Sequence, residues 1–279
     1  MNEVKGLRTV NYHFLEECNF RCGPCFAGHG LEGRRLSATD ALKVVDAVAT
    51  AGCEKLNFVG GEPTLCSSLG MLIKQAKSRG LTTSIVTNGT GLTNEFLRNM
   101  QGYLDWIGIS IDSLDAQSLK LLGRYCGNMT IDRNFYLAKV KKIKAFGYRL
   151  KINTVVSSIN FSEDMSDFIN YAKPERWKVF QVLSIGKKSC GFSVASSDFH
   201  KFCKLHQGRC SPDVNMVAES DEQMRGSYSM IDPLGRFYDN VGESYRYSSP
   251  ILEVGVKHAY ESIVVDVEKM VERGAFYKW

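Results

Sequence analysis

From residue 8 to about residue 183 the chain alternates between two hydrophobic rhythms. RTVNYHF (8–14), KLNFV (55–59), TTSIVTN (82–88), WIGISID (106–112), RLKINTVV (149–156) and WKVFQVL (177–183) are short, β-branched or aromatic runs that predict strands. Between them SATDALKVVDAVATAG, LTNEFLRNM and NFYLAKVKKIKAF carry helical periodicity. Ser37 is placed to N-cap the first of these helices, with Asp40 in its first turn and Gly52 near its end. Strands separated by helical crossovers pair in parallel, because a parallel neighbour needs a long connection. The expected fold class is α/β, a partial barrel of six βα units with its helices outside. After residue 183 the rhythm breaks. SSDFHKFCKLHQ predicts a helix, SYSMID a strand ended by the turn PLGR, and VGVKHAYESIVVDVEKMVERG one terminal helix. Residues 184–279 are therefore expected to form an α+β extension packed on a barrel of residues 1–183, with no linker or repeat between them.

A chain of 279 residues with 44% hydrophobic and 23% charged residues can bury a large core. Its net charge of +5 comes without a Lys/Arg run, so nucleic acid is not an expected partner. No stretch approaches the roughly 20 apolar residues of a membrane span, and MNEVKGLRTVNYHF has no apolar leader core. Nine cysteines, an odd number, favour reduced thiols or metal ligands over a disulfide framework. The expectation is a cytosolic protein that no membrane holds.

Three of those cysteines, Cys18, Cys22 and Cys25, lie directly after the first strand in a loop containing Gly23 and Pro24. Three thiolates at this spacing can hold one face of a four-iron, four-sulfur cubane and leave one iron open to another ligand. Taken alone they could also form a zinc site completed by His29, although zinc usually takes paired hooks. A second element follows the second strand: Gly60, Gly61, Glu62 and Pro63. Glycines at the C-terminal end of a parallel strand permit close backbone approach to a ligand, and ligands gather at that edge. Alone GGEP could be a plain turn; about 35 residues after the triplet, on the neighbouring strand, it favours a cluster.

Alternation along the strands puts Asn11 and His13, Lys55 and Asn57, Ser110 and Asp112, Lys151 and Asn153, and Arg176 and Lys178 on one face. The other parity carries Leu56, Phe58, Ile107, Ile109, Ile152 and Trp177, suited to packing on helices. The first set would then turn four cations into one lumen. Burying unpaired cations is expensive, so a polyanion such as a triphosphate is the expected occupant. An inverted register would instead turn those cations to solvent. No Walker-type glycine loop is present, which leaves side chains to hold such a ligand.

CxxxCxxC after the first strand and GGEP after the second resemble the radical S-adenosylmethionine superfamily. In it a 4Fe-4S cluster binds S-adenosylmethionine through the open iron, and the GGEP segment, here Gly60, Gly61 and Glu62, helps hold the methionyl amine. One departure is Pro24, where an aromatic commonly precedes the third cysteine, with Phe26 after it. More specifically, NYHFLEECNFRCGPCF, EKLNFVGGEPTL, LLGRYCGN, KINTVV, PERWKVFQVL, SYSMID, ILEVGV and a final Trp resemble the viperin family with its fungal and prokaryotic members, in register from Asn11 to Trp279. That resemblance implies a dehydratase that turns a ribonucleoside triphosphate into its 3′-deoxy-3′,4′-didehydro analogue, an antiviral chain terminator. A 5′-deoxyadenosyl radical would take the ribose 4′ hydrogen, and the 3′ hydroxyl would leave. It implies S-adenosylmethionine contacts for Ser110 and Arg124, and nucleotide contacts for Asn11, His13, Lys55, Asn57, Lys151, Asn153, Arg176 and Lys178. Tyr228 falls on a family tyrosine near the substrate and is the candidate donor, with a purely structural role equally open. An electron donor of the reductase or flavodoxin type and cluster-assembly factors reading Trp279 are the implied partners. Three departures bear on the transfer. Val59 stands where the vertebrate members have serine, the vertebrate membrane helix has no counterpart, and YDNVGESYRYSS, expected over the active site, diverges. The expected base is a pyrimidine, uracil or cytosine. The rival expectations are a radical enzyme acting on a peptide or another nucleotide, and a metal-binding scaffold without activity. Cys190, Cys203 and Cys210 could suggest a second cluster, but lack a tight pair and read better as buried thiols.

Overall fold

In the computed structural model, which describes residues 4–183, 185 and 190–277, one sheet runs through the whole chain. The expected strands form as β1 (Thr9–His13), β2 (Lys55–Val59), β3 (Thr82–Thr87), β4 (Trp106–Ser110), β5 (Arg149–Val156) and β6 (Arg176–Gln181). They pair in sequence order and in parallel. Between them lie α1 (Ala38–Thr50), α2 (Leu69–Ser78), α3 (Asn94–Met100), α4 (Ala116–Leu121), α5 (Arg133–Ala145) and α6 (Ser166–Ala172). Ser37 caps α1 as read, its hydroxyl accepting from the Asp40 amide at 3.1 Å. The outer strand faces, Leu56, Phe58, Ile107, Ile109, Ile152 and Trp177, are fully buried in the core with the apolar stripes of the helices. The α/β class and the six βα units stand.

The last third does more than pack on this core. After α7 (Ser196–Arg209), β7 (Met216–Glu219) adds to β6 in parallel at one edge of the sheet. β8 (Met230–Ile231) adds beside β1 at the other edge, followed by β9 (Arg236–Asp239) and β10 (Arg246–Pro250). The order is β10-β9-β8-β1-β2-β3-β4-β5-β6-β7, and among the described residues the two edges do not pair, so the barrel is open. After the short helices α8 (Asp221–Met224) and α9 (Ile251–Val254), the expected single terminal helix is two, α10 (Val256–Glu261) and α11 (Val267–Glu272). The β-branched run Ile263–Val265 disfavours helix. There the Val264 amide turns to Asp239 at 3.0 Å and the Asp266 amide to the Gly226 carbonyl at 2.7 Å. Asp266 then caps the second helix. Among the described residues no helix is long and apolar enough to cross a membrane. Trp279 and the side chain of Cys190 lie outside the described residues.

Candidate active site

The thiol loop and the GGEP turn meet at the C-terminal edge of the sheet. The loop is pinned from two sides. Gly61 donates to the Leu15 carbonyl at 2.9 Å and Glu62 to the Glu17 carbonyl at 2.8 Å, just before Cys18. On the other side the Arg21 and Gly23 amides donate to Gly123 and Leu122, both at 3.1 Å. This approach demands the glycines of GGEP. A Cβ on Gly60 would stand 2.3 Å from the Leu15 carbonyl oxygen, and one on Gly61 2.1 Å from that of Glu17. Glu62 is likewise engaged by its own chain. Its carboxylate accepts from Thr64 Oγ1 at 2.5 Å, Thr87 Oγ1 at 2.6 Å and the amides of Thr64 and Asn88 at 3.1 and 2.7 Å. It braces the end of β3 against the turn.

Cys18, Cys22 and Cys25 are free thiols, the first two half-buried and the third exposed. Burial pushes the Cys22 thiol up to about 12 and raises that of Cys18, so thiolates there call for a positive centre. Among the described residues no three His, Cys, Asp or Glu side chains converge on a single-ion site. A cubane gives each of three thiolates its own iron, and three free thiols on one loop are that donor set. The three-thiol loop fits the cluster. Cys203 is buried on α7 and Cys210 ends that helix, and among the described residues no metal-ligand group gathers around them.

Beneath the loop, Arg124 is buried with Asp112, Nε to Oδ2 at 2.6 Å, and donates to the Ser110 carbonyl at 3.2 Å. Over it lies the divergent segment expected there. The Tyr245 hydroxyl donates to the Phe26 carbonyl, His29 Nδ1 stands 3.0 Å from the Tyr247 hydroxyl, and the His13 and Tyr238 rings meet at 5.7 Å. Phe26 packs edge-on against His13 and supplies an aromatic where Pro24 does not. Burial lowers the His13 pKa well below its ordinary value, with His29 adding to the effect, so His13 is neutral at pH 7.

Further down the same face, the cations come together as the strand parity requires. Register aligns Asn11 with Asn57, and Lys151 with Arg176. Asn11, Lys55, Asn57, Lys151, Arg176, Lys178 and Tyr228 line one cavity of about 70 Å³. Gly108 keeps it open, since a Cβ there would stand 2.9 Å from Lys151 Cε. Ser110 and Asn153 sit opposite each other toward the upper edge, and Asn153 Oδ1 is buried without a partner. At a rise of roughly 3.3 Å per residue, Lys55 and Gly60 are about 17 Å apart along the strand. The cation row and the thiol loop therefore sit at opposite ends of one face.

Four residues here were not foreseen. Tyr277 closes the cavity, accepting from Lys55 Nζ at 2.7 Å with its ring 4.1 Å from the Arg176 guanidinium. Glu219 and Arg273 are buried beside Tyr228 and Lys178, and Gly108 carries no side chain to read. A signal near Glu219 existed: it precedes the capping box Ser220–Gln223, which marks the start of a helix. A larger groove of about 750 Å³ lies between α1 and residues 254–261, and none of the site residues lines it.

Burial, with neighbouring cations, lowers Lys55 to about 6; burial, partly offset by Glu219, lowers Lys178 to about 7; burial and then Arg176 lower Lys151 to about 8. A bound polyanion restores their charge, so the complex holds more protons than the free chain from those values up to the ordinary ~10.4. Affinity must then fall as pH rises through that window. Titration with inorganic tripolyphosphate at pH 8, in buffers of different ionisation enthalpy, is expected to show net proton uptake. Binding without uptake refutes this account of the lysines.

Residues 12–172 match the Radical SAM superfamily. A protein of Flammeovirga pacifica described as an S-adenosylmethionine-dependent nucleotide dehydratase is 41% identical over 97% of this chain and 96% of its own length. One of Lacinutrix mariniflava with the same description is 42% identical over the full chain, which spans only 60% of that relative. The Danio rerio counterpart is 33% identical over 97% of this chain and 78% of its own length. Among solved structures, Streptococcus suis SuiB bound to S-adenosylmethionine superposes with a TM-score of 0.66 at 18% identity, covering 85% of this chain and 60% of that one. Coproporphyrinogen III oxidase of Escherichia coli does so with 0.60 at 12%, covering 99% and 75%. These likenesses show the fold.

Proposed function

The chain belongs to the radical SAM superfamily and, within it, to the S-adenosylmethionine-dependent nucleotide dehydratases, and from that premise we propose that it dehydrates a ribonucleoside triphosphate to the 3′-deoxy-3′,4′-didehydro analogue. The observation that carries this reading is the single face shared by the thiol loop and the buried cation row. The Cys18, Cys22 and Cys25 thiolates would hold the 4Fe-4S cluster, which with S-adenosylmethionine supplies hydrogen abstraction from the ribose 4′ carbon. Gly60 and Gly61 seat that loop, and Arg124, held by Asp112 and the Ser110 carbonyl, offers its cation beside Ser110 to the cofactor's carboxylate.

Lys55, Lys151, Arg176 and Lys178 would grip the triphosphate, displacing Tyr277 from the space between Lys55 and Arg176. Arg176 Nε is buried without a hydrogen-bond partner, a donor waiting for an acceptor. Anchoring the phosphates fixes the sugar toward the loop, which is the entropic part of the catalysis. Asn11, Asn57 and Asn153 are placed for the ribose between these ends. His13, with the aromatic group of His29, Tyr238, Tyr245 and Tyr247, would wall the upper chamber, and a pyrimidine is the preferred base. Tyr228 faces the cavity as the electron donor that completes the dehydration. A one-electron donor of the reductase or flavodoxin type would act in the cytosol, with assembly factors reading Trp279. The product would act as an antiviral chain terminator.

The test is the reconstituted protein with S-adenosylmethionine, dithionite and each of the four ribonucleoside triphosphates. At least one should raise 5′-deoxyadenosine release and yield a nucleotide lighter by one water. Release that no triphosphate enhances would sink the assignment and leave a peptide substrate as the next reading.

A further inference from the structure

One anion is buried among the cations of the chamber. Glu219, the last residue of β7, has no exposed surface. One of its carboxylate oxygens lies 2.5 Å from Lys178 Nζ and 3.6 Å from an Arg273 nitrogen. The other accepts from the Tyr228 hydroxyl. Lys178 in turn donates to the Tyr228 oxygen at 2.9 Å, and the Arg273 guanidinium lies 3.7 Å from the Tyr228 ring centre. Arg273 is itself fixed by the Ser227 carbonyl, Nε at 2.9 Å. Three residues from three separate parts of the chain, Lys178, Glu219 and Arg273, thus hold one phenol at the cavity wall.

We propose that Glu219 positions Tyr228 and accepts its phenolic proton when that tyrosine passes an electron to the substrate. The proposal rests on the dehydratase reading. Burial alone would raise the Glu219 pKa, but Lys178 and Arg273 hold it lowered, so it is an ionised acceptor. Burial keeps Tyr228 a neutral phenol, its pKa raised well above the ordinary value even with Arg273 opposing the shift. A phenol becomes a strong acid when oxidised, so giving up its electron is favoured only where a base already holds the hydrogen bond.

The balance is as follows. After hydrogen abstraction, loss of the 3′ hydroxyl as water needs one proton, and the one-electron-deficient sugar left behind needs one electron to close the alkene. Tyr228 gives the electron as its O–H bond breaks, and Glu219 takes the proton. The departing hydroxyl takes its proton from the Lys178 ammonium, and the phenolic proton that Glu219 accepts then restores that ammonium. The neutral tyrosyl radical is reduced by the external one-electron donor and reprotonated from solvent.

The experiment is a single turnover of the holoenzyme, its cluster reduced beforehand and the excess reductant removed. S-adenosylmethionine and the nucleoside triphosphate that gave the largest response start the reaction. The wild type is expected to form close to one dehydrated nucleotide per 5′-deoxyadenosine and a tyrosyl signal in the electron paramagnetic resonance spectrum. In Glu219→Gln and Tyr228→Phe the product per 5′-deoxyadenosine falls roughly tenfold or more and the signal is lost. Glu219→Asp, which keeps a carboxylate, recovers part of both. A wild-type ratio in Tyr228→Phe, or equal behaviour of Glu219→Asp and Glu219→Gln, overturns the proposal even if Glu219→Gln does not fold. A wild type that answers no triphosphate with 5′-deoxyadenosine overturns the dehydratase reading itself, and is seen before any variant is made.

Discussion

Arg176→Ala is expected to weaken binding of the responsive nucleoside triphosphate by about tenfold to a hundredfold, while the iron content of the protein stays that of the wild type. A hydrogen bond to a charged group is worth about 1.5–3 kcal/mol net, and each 1.4 kcal/mol is about tenfold in affinity. Arg176 is 3% exposed, is held by the Gly274 carbonyl at 2.6 Å, and keeps its Nε unsatisfied inside the cavity. Lys151→Ala should act in the same direction. The two losses will not add, because Arg176 depresses Lys151 and removing the arginine lets that lysine recharge. Neither residue touches the thiol loop, so the cluster is the internal control. Isothermal titration with the nucleotide checks this, and wild-type affinity in both variants would place the cations outside the substrate site.

Gly61→Ala is expected to destabilise the fold strongly for so small a change. Its Cβ would stand 2.1 Å from the Glu17 carbonyl oxygen and 2.4 Å from that of Glu16, and neither backbone atom can swing aside as a side-chain tip would. Relief requires breaking the 2.8 Å bond from Glu62 to Glu17 and moving the stretch that delivers Cys18. Overpacking of this kind costs about 3 kcal/mol or more, a fall in Tm of roughly 6 °C or more. Iron content after reconstitution should drop with it. Gly28→Ala is the matched control on the same loop, since nothing lies within 4 Å of its Cβ and its φ is ordinary. Equal melting and equal iron in the two variants would mean that the GGEP turn does not seat the loop.

These two sites differ in how they could be read. The cation row was visible in one dimension because strand alternation is strict. Lys55 with Asn57, Lys151 with Asn153, and Arg176 with Lys178 each repeat at two residues, and parallel register carries that face from strand to strand. The glycines of GGEP were visible too, but their cause was not. Their neighbours are the carbonyls of residues 15–17 across the β1–β2 crossover. Glu62, read as an acceptor beside the cofactor, also braces Thr64, Thr87 and Asn88, which no local pattern announces. A carboxylate's partner depends on what folds beside it.

What the sequence by itself determined is local and periodic: the βα alternation, the thiol loop after β1, the turn after β2 and the polar face between them. Each follows from the two-residue and 3.6-residue repeats of a chain with a single buried side. Only the tertiary structure decided that the last third completes the sheet at both edges. Only it could bring Glu219, Tyr228 and Arg273 to Lys178. The strands that carry this are four and two residues long, too short for a period to show. The ion pairs that fix them span 41 residues (219 − 178) and 54 residues (273 − 219), a distance over which no local repeat reaches.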